Sequence, residues 1–285
     1  MSTANQVKRT ILVTGATGNI GGQLVIRLAD TPNIRVRAVT RRPDAAIVPP
    51  NIGTIAGDLS RPETLASAMA GVDAMFLVSR VGPDADLLDL ARRSGIRHVV
   101  LVSSITVQTH PHLGPAQENA AVESLLRESG MDWTILRPTQ FASNAMLWAE
   151  EIRGAGVHLP FPDIGVPTID PADIAAVAHA ALTEPGHRGQ IYPLTGPAAI
   201  TARDQVSTIA EAIGRTIPII EITRAEARAG MLQFLPPEAA DAILEVTGGD
   251  VNAELSAVRD TVARITGTKP RTFGQWVDRN LAAFT

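Results

Sequence analysis

The first half of this 285-residue chain predicts an α/β fold, a doubly wound parallel sheet with helices on both faces. Three observations carry that expectation. Short apolar runs alternate with helix-like stretches, glycines stand at the joints between them, and the apolar residues are small and branched rather than aromatic. Hydrophobic residues make up 45% of the chain and aromatic ones only 4%. The core must therefore be built mainly from Ala, Val, Ile and Leu, which suit the layers around a sheet buried on both faces.

Taken in order, strands are expected at 10–14, 35–40, 53–56, 74–78, 98–102 and 133–136. Helices are expected between them at 20–29, 62–70, 84–94 and 116–128. Gly71, Gly95 and Gly130 each separate a helix from the next strand. A glycine suits that position because the left-handed conformation of a helix C-cap costs it little. After Arg137-Pro138 the rhythm changes. A helix at 141–153 leads into a Pro/Gly-rich stretch, 154–171, before a helix at 171–182 and a strand at 190–194. The remainder reads as mostly helical, with a short strand at 217–222 and a last helix at 274–284. The simplest division gives a sheet domain over 1–140, joined by a return segment at 171–196. A smaller substrate-binding region then comprises 141–170 and 197–285.

Bulk properties exclude several classes of function. The net charge is −4 and the 25 basic residues never run longer than two, so no nucleic-acid surface is expected. The absence of cysteine rules out disulfides, thiolate catalysis and Cys-ligated metals. No segment approaches the roughly 18–20 apolar residues of a membrane span. The polar stretch 1–9 lacks the apolar core of a secretion signal, so a cytoplasmic protein is expected.

The first strand runs directly into Gly15-Ala16-Thr17-Gly18-Asn19-Ile20-Gly21, followed by Leu24, Ile26 and Leu28, the apolar spacing of a helix packed on a sheet. Gly15 supplies the unusual φ of a tight turn, Gly18 lets the backbone approach a pyrophosphate, and Gly21 lets the helix pack close to the strand. The anion would meet the free N–H groups and positive end of the helix. Strand, turn and helix occur in the order that a dinucleotide site requires. The expectation is a Rossmann-like fold.

The spacing is GxxGxxG, and Thr14-Gly15-Ala16-Thr17-Gly18-Asn19-Ile20-Gly21 resembles the short-chain dehydrogenase/reductase superfamily, above all its atypical, NmrA-like branch. Gly57-Asp58-Leu59, Gly71-Val72-Asp73 and the run from Gly95 to Ser104 continue the resemblance. So do the runs from Glu123 to Gly130 and from Trp133 to Pro138, then Phe141, Asn144, Asp173 and the run from Tyr192 to Gly196. The pattern is similar to that of quinone oxidoreductases and triphenylmethane-dye reductases. This implies a nicotinamide cofactor and a small-molecule acceptor, in a monomer or homodimer.

The second strand ends Thr40-Arg41-Arg42, where an NAD-preferring site would carry an acidic residue for the ribose 2′-OH. Two guanidinium groups suit a 2′-phosphate instead, unless they are simply a solvated surface pair. NADP(H) is therefore expected over NAD(H). Val78 and Ser79, at the end of the fourth strand, should line the nicotinamide side. The resemblance further implies that Asp58 and Leu59 flank the adenine. It also implies that the backbone at Pro138 meets the carboxamide and that Phe141 walls the pocket, with Asn144 facing the same cleft.

Typical members of the superfamily use a Tyr-x-x-x-Lys pair, the Tyr as proton donor and the Lys lowering its pKa. Counted back from Glu123, Pro115 and Asn119 occupy those positions, and the chain's one tyrosine, Tyr192, lies far from them. Quinone and dye reduction demand less of a positioned acid than alcohol chemistry does. Ser103 and Ser104 end the fifth strand, where a hydroxyl either polarises a substrate oxygen or caps the loop. Asn119 is a candidate to replace the lysine on the ribose hydroxyls. His112 and His110, in the loop 106–116, are candidate proton donors or exposed loop residues; with no carboxylate nearby, no metal site is expected. His98 reads as a core residue in its strand. The apolar cluster Met231, Leu232, Phe234 and Leu235 has ordinary core as its default reading, a lid or dimer face being the alternatives.

The expected function is reduction of a quinone-like, aromatic or otherwise conjugated acceptor by NADPH. The alternatives are a non-catalytic NADP(H) sensor of the NmrA type and a biosynthetic reductase, isomerase or dehydratase.

Overall fold

The computed structural model describes residues 9–285, so the polar segment 1–8 lies outside the described residues. The chain forms two compact units. The first comprises the segment up to Ser103 with Glu118–Arg137 and Ile174–Tyr192; the second comprises Ser104–Gln117, Pro138–Asp173 and Pro193–Thr285.

The first unit is built on β1 (Arg9–Val13), α1 (Gly21–Ala29), β2 (Ile34–Thr40), β3 (Gly53–Ala56), α2 (Ala66–Met69), β4 (Ala74–Val78), α3 (Asp84–Arg93) and β5 (His98–Val102). The chain then passes through segments of both units: α4 (Thr106–Thr109), α5 (Gly114–Glu128), β6 (Asp132–Pro138), β7 (Gln140–Phe141), α6 (Ala149–Arg153), β8 (Val157–Leu159), β9 (Gly165–Ile169), α7 (Pro171–Thr183) and β10 (Gln190–Leu194). The sheet order is β10-β6-β5-β4-β1-β2-β3, and the pairs β1–β2, β2–β3, β1–β4, β4–β5 and β5–β6 are parallel. Strand order reverses between β1 and β4. That switch point opens a crevice at the carboxyl ends of the strands, where ligands of such sheets bind.

The continuous apolar runs explain this sheet. Every residue of β5 is buried, and Ile11, Leu12 and Val13 of β1 are fully so, as expected for strands covered on both faces. Leu24, Val25 and Leu28 form the buried stripe of α1; Ile26, expected with them, is 52% exposed, because two positions on from Leu24 is the opposite side of a helix. The helix expected at 62–70 is instead a 3₁₀ turn, Pro62–Leu65, followed by the single turn of α2. Pro62 suits a helix start, and so short a segment gains little from α-helical propagation.

In the second unit β9 pairs antiparallel with β11 (Ala199–Thr201) and parallel with β7, while β8 pairs with β12 (Ile219–Glu221). The helix expected at 141–153 resolves into β7, a 3₁₀ helix at Ala142–Trp148, and α6. A three-residue repeat accounts for this: Ala142 and Ala145 are buried and Trp148 packs on the same cluster. α8 (Ala202–Ile213) brings Val206 and Ile209 to that cluster, and α13 (Phe273–Asn280) brings Trp276, stacked on Phe273 at 5.4 Å.

The default core reading of Met231, Leu232, Phe234 and Leu235 is corrected. They end α9 (Arg224–Met231) and precede α10 (Pro237–Leu244), and Phe234 is 74% exposed. Only Ala227 of α9 is buried, because the rest of that helix is largely Arg, Glu, Ala and Gly and has little apolar area to bury. Among the described residues no helix is long and apolar enough to cross a membrane, and no group of three His, Asp or Glu residues is placed to hold a metal.

Candidate cofactor and active site

The turn after β1 has the geometry of an anion cradle. Thr14 is tied to β4 by its amide and hydroxyl, both donating to the Phe76 carbonyl at 3.1 and 2.9 Å. Gly15 then takes φ +60°, the left-handed region, and its carbonyl accepts from the Gly18 amide at 2.8 Å. A Cβ on Gly21 would lie 2.2 Å from that same carbonyl oxygen, so only glycine lets α1 sit this close. α1 has no side-chain cap. The amides of Thr17, Asn19 and Ile20 donate to no acceptor among the described residues, and Thr17, Gly18 and Asn19 are exposed. Free N–H groups at the positive end of a nine-residue helix fit a pyrophosphate. Ala16 and Ile20 are buried beneath the cradle.

Thr40 ends β2, and Arg41 and Arg42 follow it, on the β2–β3 side of the switch point. Both guanidinium groups are exposed, and neither forms an ion pair among the described residues. Asp58 follows β3. Its carboxylate accepts from the Ser60 hydroxyl and amide at 2.8 and 2.9 Å, which hold it below the usual carboxylate range. The backbone of Leu59 meets the loop after β4 closely: a Cβ on Gly82 would fall 2.0 Å from the Leu59 oxygen.

The ends of β4 and β5 are clasped by α5. The Ser79 hydroxyl, just after Val78, lies 2.9 Å from the Val102 carbonyl and 2.7 Å from Asn119 Oδ1. Arg80, held at φ +62°, pairs with Glu118 at 2.6 Å while its amide donates to Asp84. One turn beyond Asn119, Glu123 accepts from the Ser103 hydroxyl at 2.7 Å. Arg137 donates to Glu123 through Nε and Nη2 at 2.9 and 2.6 Å, and Arg127 does so at 2.7 Å. Glu123 is fully buried. Burial pushes its carboxyl up, but the bonds from Arg137, Ser103 and Arg127 outweigh that and hold it below the ordinary value.

This geometry corrects the reading of Ser103. Its proton goes to Glu123, so it neither caps the loop nor offers that proton to a substrate oxygen. Ser104 does the capping, accepting from the Thr106 amide and hydroxyl at 3.2 and 2.8 Å. Sequence reasoning gave Glu123 no role. The available signal was a glutamate between Val122 and Leu126 on a buried helix face, with Arg127 one turn on.

Ser104, Pro138, Phe141, His110 and His112 belong to the second unit. Pro138 ends β6, buried, and its carbonyl accepts from the Ile105 amide at 3.0 Å. Phe141 is half-buried, and Asn144 is exposed. The loop containing the histidines begins as α4. His112 is exposed, but His110 is completely buried, against the expectation of a solvated loop residue. His110 Nε2 donates to the Asp250 carbonyl at 2.7 Å, which leaves Nδ1 to accept from the Thr109 hydroxyl at 2.8 Å. Two further residues are structural. His98 is buried beside Thr134 at 3.0 Å, and burial, aided by Arg9 and Arg188, lowers its pKa to about 4. Tyr192 is buried, with its hydroxyl 2.9 Å from His187.

The profile of a family described as NAD(P)H-binding matches residues 15–185. An NAD(P)H azoreductase of Xenophilus azovorans is 36% identical, the alignment covering 96% of this chain and 99% of that protein. A (4-alkanoyl-5-oxo-2,5-dihydrofuran-3-yl)methyl phosphate reductase of Streptomyces griseus is also 36% identical, covering 96% and 99% respectively. Among solved structures, an NADPH-dependent quinone oxidoreductase of Escherichia coli complexed with NADPH superposes with a TM-score of 0.77. It is 24% identical, with 95% of this chain and 99% of that one covered.

Proposed function

This chain belongs to the NAD(P)H-binding family, and we propose that it is a reductase that prefers NADPH and acts on quinone-like, azo or otherwise conjugated aromatic acceptors. The observation that carries the reading is the glycine cradle, with its unpartnered amides, beside the exposed Arg41–Arg42 pair. The relatives support the reaction class: their names are those of an azoreductase, a furanone phosphate reductase and a quinone oxidoreductase.

The amides at 17, 19 and 20 would hold the pyrophosphate. Arg41 and Arg42 would hold the 2′-phosphate, with Thr40 and Asp58 near the adenosine. Val78, Ser79 and Asn119 would line the nicotinamide half; Pro138 and Phe141 are cofactor-binding candidates on the family resemblance alone. The chemistry supplied by a bound NADPH would be hydride donation to the acceptor, with the balancing proton taken from water. With Pro115 and Asn119 in place of a Tyr/Lys pair, these residues act by positioning two reactants and excluding solvent rather than by acid catalysis. His112 and Ser104 are the remaining polar candidates beside that step.

The test is NADPH consumption, followed by absorbance, with a panel of quinones and azo dyes. Consumption with at least one acceptor is expected; tight NADPH binding without turnover on any of them would overturn the reductase reading. Arg41→Glu with Arg42→Glu is expected to weaken NADPH binding by more than about tenfold while leaving NADH nearly unchanged, since two charge-assisted bonds contribute roughly 1.5–3 kcal/mol each. Equal loss for both cofactors would remove the case for NADPH preference.

A further inference from the structure

Ser103 stands at the carboxyl end of β5, on the side of the switch point where a sheet of this order holds the second mononucleotide of a dinucleotide. A hydroxyl has one proton and two lone pairs. That proton is committed, because the partner at 2.7 Å is a carboxylate gripped by Arg137 and Arg127, and a carboxylate oxygen only accepts. Among the described residues nothing donates to Ser103 Oγ, so its lone pairs are what it presents. Ser103 is 8% exposed, so it is buried without being sealed from solvent.

We propose that Glu123 is a positioning residue that fixes Ser103 as a hydrogen-bond acceptor, and that Ser103 receives the carboxamide N–H of the bound nicotinamide. This reverses the direction expected of a serine that polarises a substrate oxygen. On the nicotinamide ring the carboxamide is the one N–H donor, so it is the ring's match for a lone pair at the β5 end. Receiving it would fix which face of the ring looks toward the acceptor. Arg137 grips Glu123 through two nitrogens, so the carboxylate cannot rotate away and release the serine proton. The inference rests on the nicotinamide cofactor reading and adds to it a direction of hydrogen bonding.

The experiment compares dissociation constants, by fluorescence titration, for NADPH and its 3-acetylpyridine analogue, whose methyl ketone has no N–H. Wild type is expected to bind NADPH about 3–10-fold more tightly than the analogue, the worth of one neutral hydrogen bond. Ser103→Ala should lose that factor for NADPH alone, so that the ratio falls to about one, and Ser103→Thr, which keeps the hydroxyl, should restore it. Glu123→Gln places an amide beside the serine, frees the proton to point outward, and should also collapse the ratio. Its thermal melt separates this from loss of fold, and the serine variants decide the question if that protein does not fold. An unchanged ratio in Ser103→Ala would overturn the proposal while leaving the cofactor reading intact. A wild-type protein that binds neither compound would overturn both.

Discussion

Gly21 shows how much one atom decides at this site. A Cβ there would lie 2.2 Å from the Gly15 carbonyl oxygen, backbone against backbone, and no rotamer change can relieve it. Gly21→Ala must push α1 away from β1, at about 1–3 kcal/mol for a small overpacking strain. The same movement displaces the unpartnered amides of Thr17, Asn19 and Ile20. The expected outcome is a lower melting temperature together with at least a tenfold weaker NADPH dissociation constant. A melt that falls while affinity is retained would detach the helix position from the cradle. The role of this residue was legible in the sequence because strand, turn and helix are contiguous. Glu123 was not legible. Its partners Ser103 and Arg137 lie 20 and 14 residues away, and nothing local says that a helix glutamate will meet a strand-end serine. His110 was missed for a similar reason: the carbonyl that receives its ring N–H belongs to Asp250, 140 residues on.

At the scale of elements, the strands of the seven-stranded sheet were legible because each is an apolar run between breakers. Those at 53–56, 74–78, 98–102 and 190–194 have the bounds the sequence suggested. By contrast β7, β8, β9 and β11, of two to five residues, fell in stretches read as helix or Pro/Gly-rich loop. Helical segments past Pro138 were harder, since 3₁₀ and α turns share residue types and differ only in the spacing that tertiary packing selects. One segment was invisible to any local pattern. The stretch after β5 is strapped to α11 (Ala253–Ser256) within the second unit. Gln108 donates to Glu254 at 2.7 Å, His110 to the Asp250 carbonyl, and Asn252 to the Thr109 carbonyl at 2.9 Å. Ile105 and Leu255 pack together beneath these bonds. Asn252 has two tasks, because its Oδ1 also caps α11 by accepting from the Leu255 amide at 2.9 Å. Asn252→Ala therefore removes a cap and a carbonyl's partner at once, with an expected cost of about 1–3 kcal/mol. Hydrogen exchange should speed at residues 106–110 and 253–256 with little change in β1, β4 and β5, the mark of local opening. Uniform acceleration would mean that the strap is instead part of the global unfolding unit.

For the molecule as a whole, the buried ionisable groups set how stability responds to acid. His98 has its pKa lowered from 6.5 to about 4, by burial first and by Arg9 and Arg188 second. The folded state therefore favours the neutral ring, and the unfolded chain binds the proton more readily. His98's contribution is complete above pH 6.5 and is lost progressively as the pH falls toward 4, by about 3 kcal/mol at 1.36 kcal/mol per unit. Glu123, held below its ordinary value, acts lower down: its contribution is present above the unfolded carboxylate range and disappears as the pH falls through the folded pKa. Asp84 and Asp173 work in the opposite sense, because burial raises both, and the folded state takes up their protons first. Chemical denaturation between pH 7 and 4 should thus show a loss of unfolding free energy that begins as the pH falls through 6.5, with Asp84 and Asp173 opposing it. His98→Asn keeps a polar partner for Thr134 but cannot charge, so it should start less stable at pH 7 and then lose about 3 kcal/mol less than wild type by pH 4. Parallel curves for the two proteins would show that His98 is solvated enough to titrate normally, and that the acid sensitivity lies in the carboxylate network around Glu123.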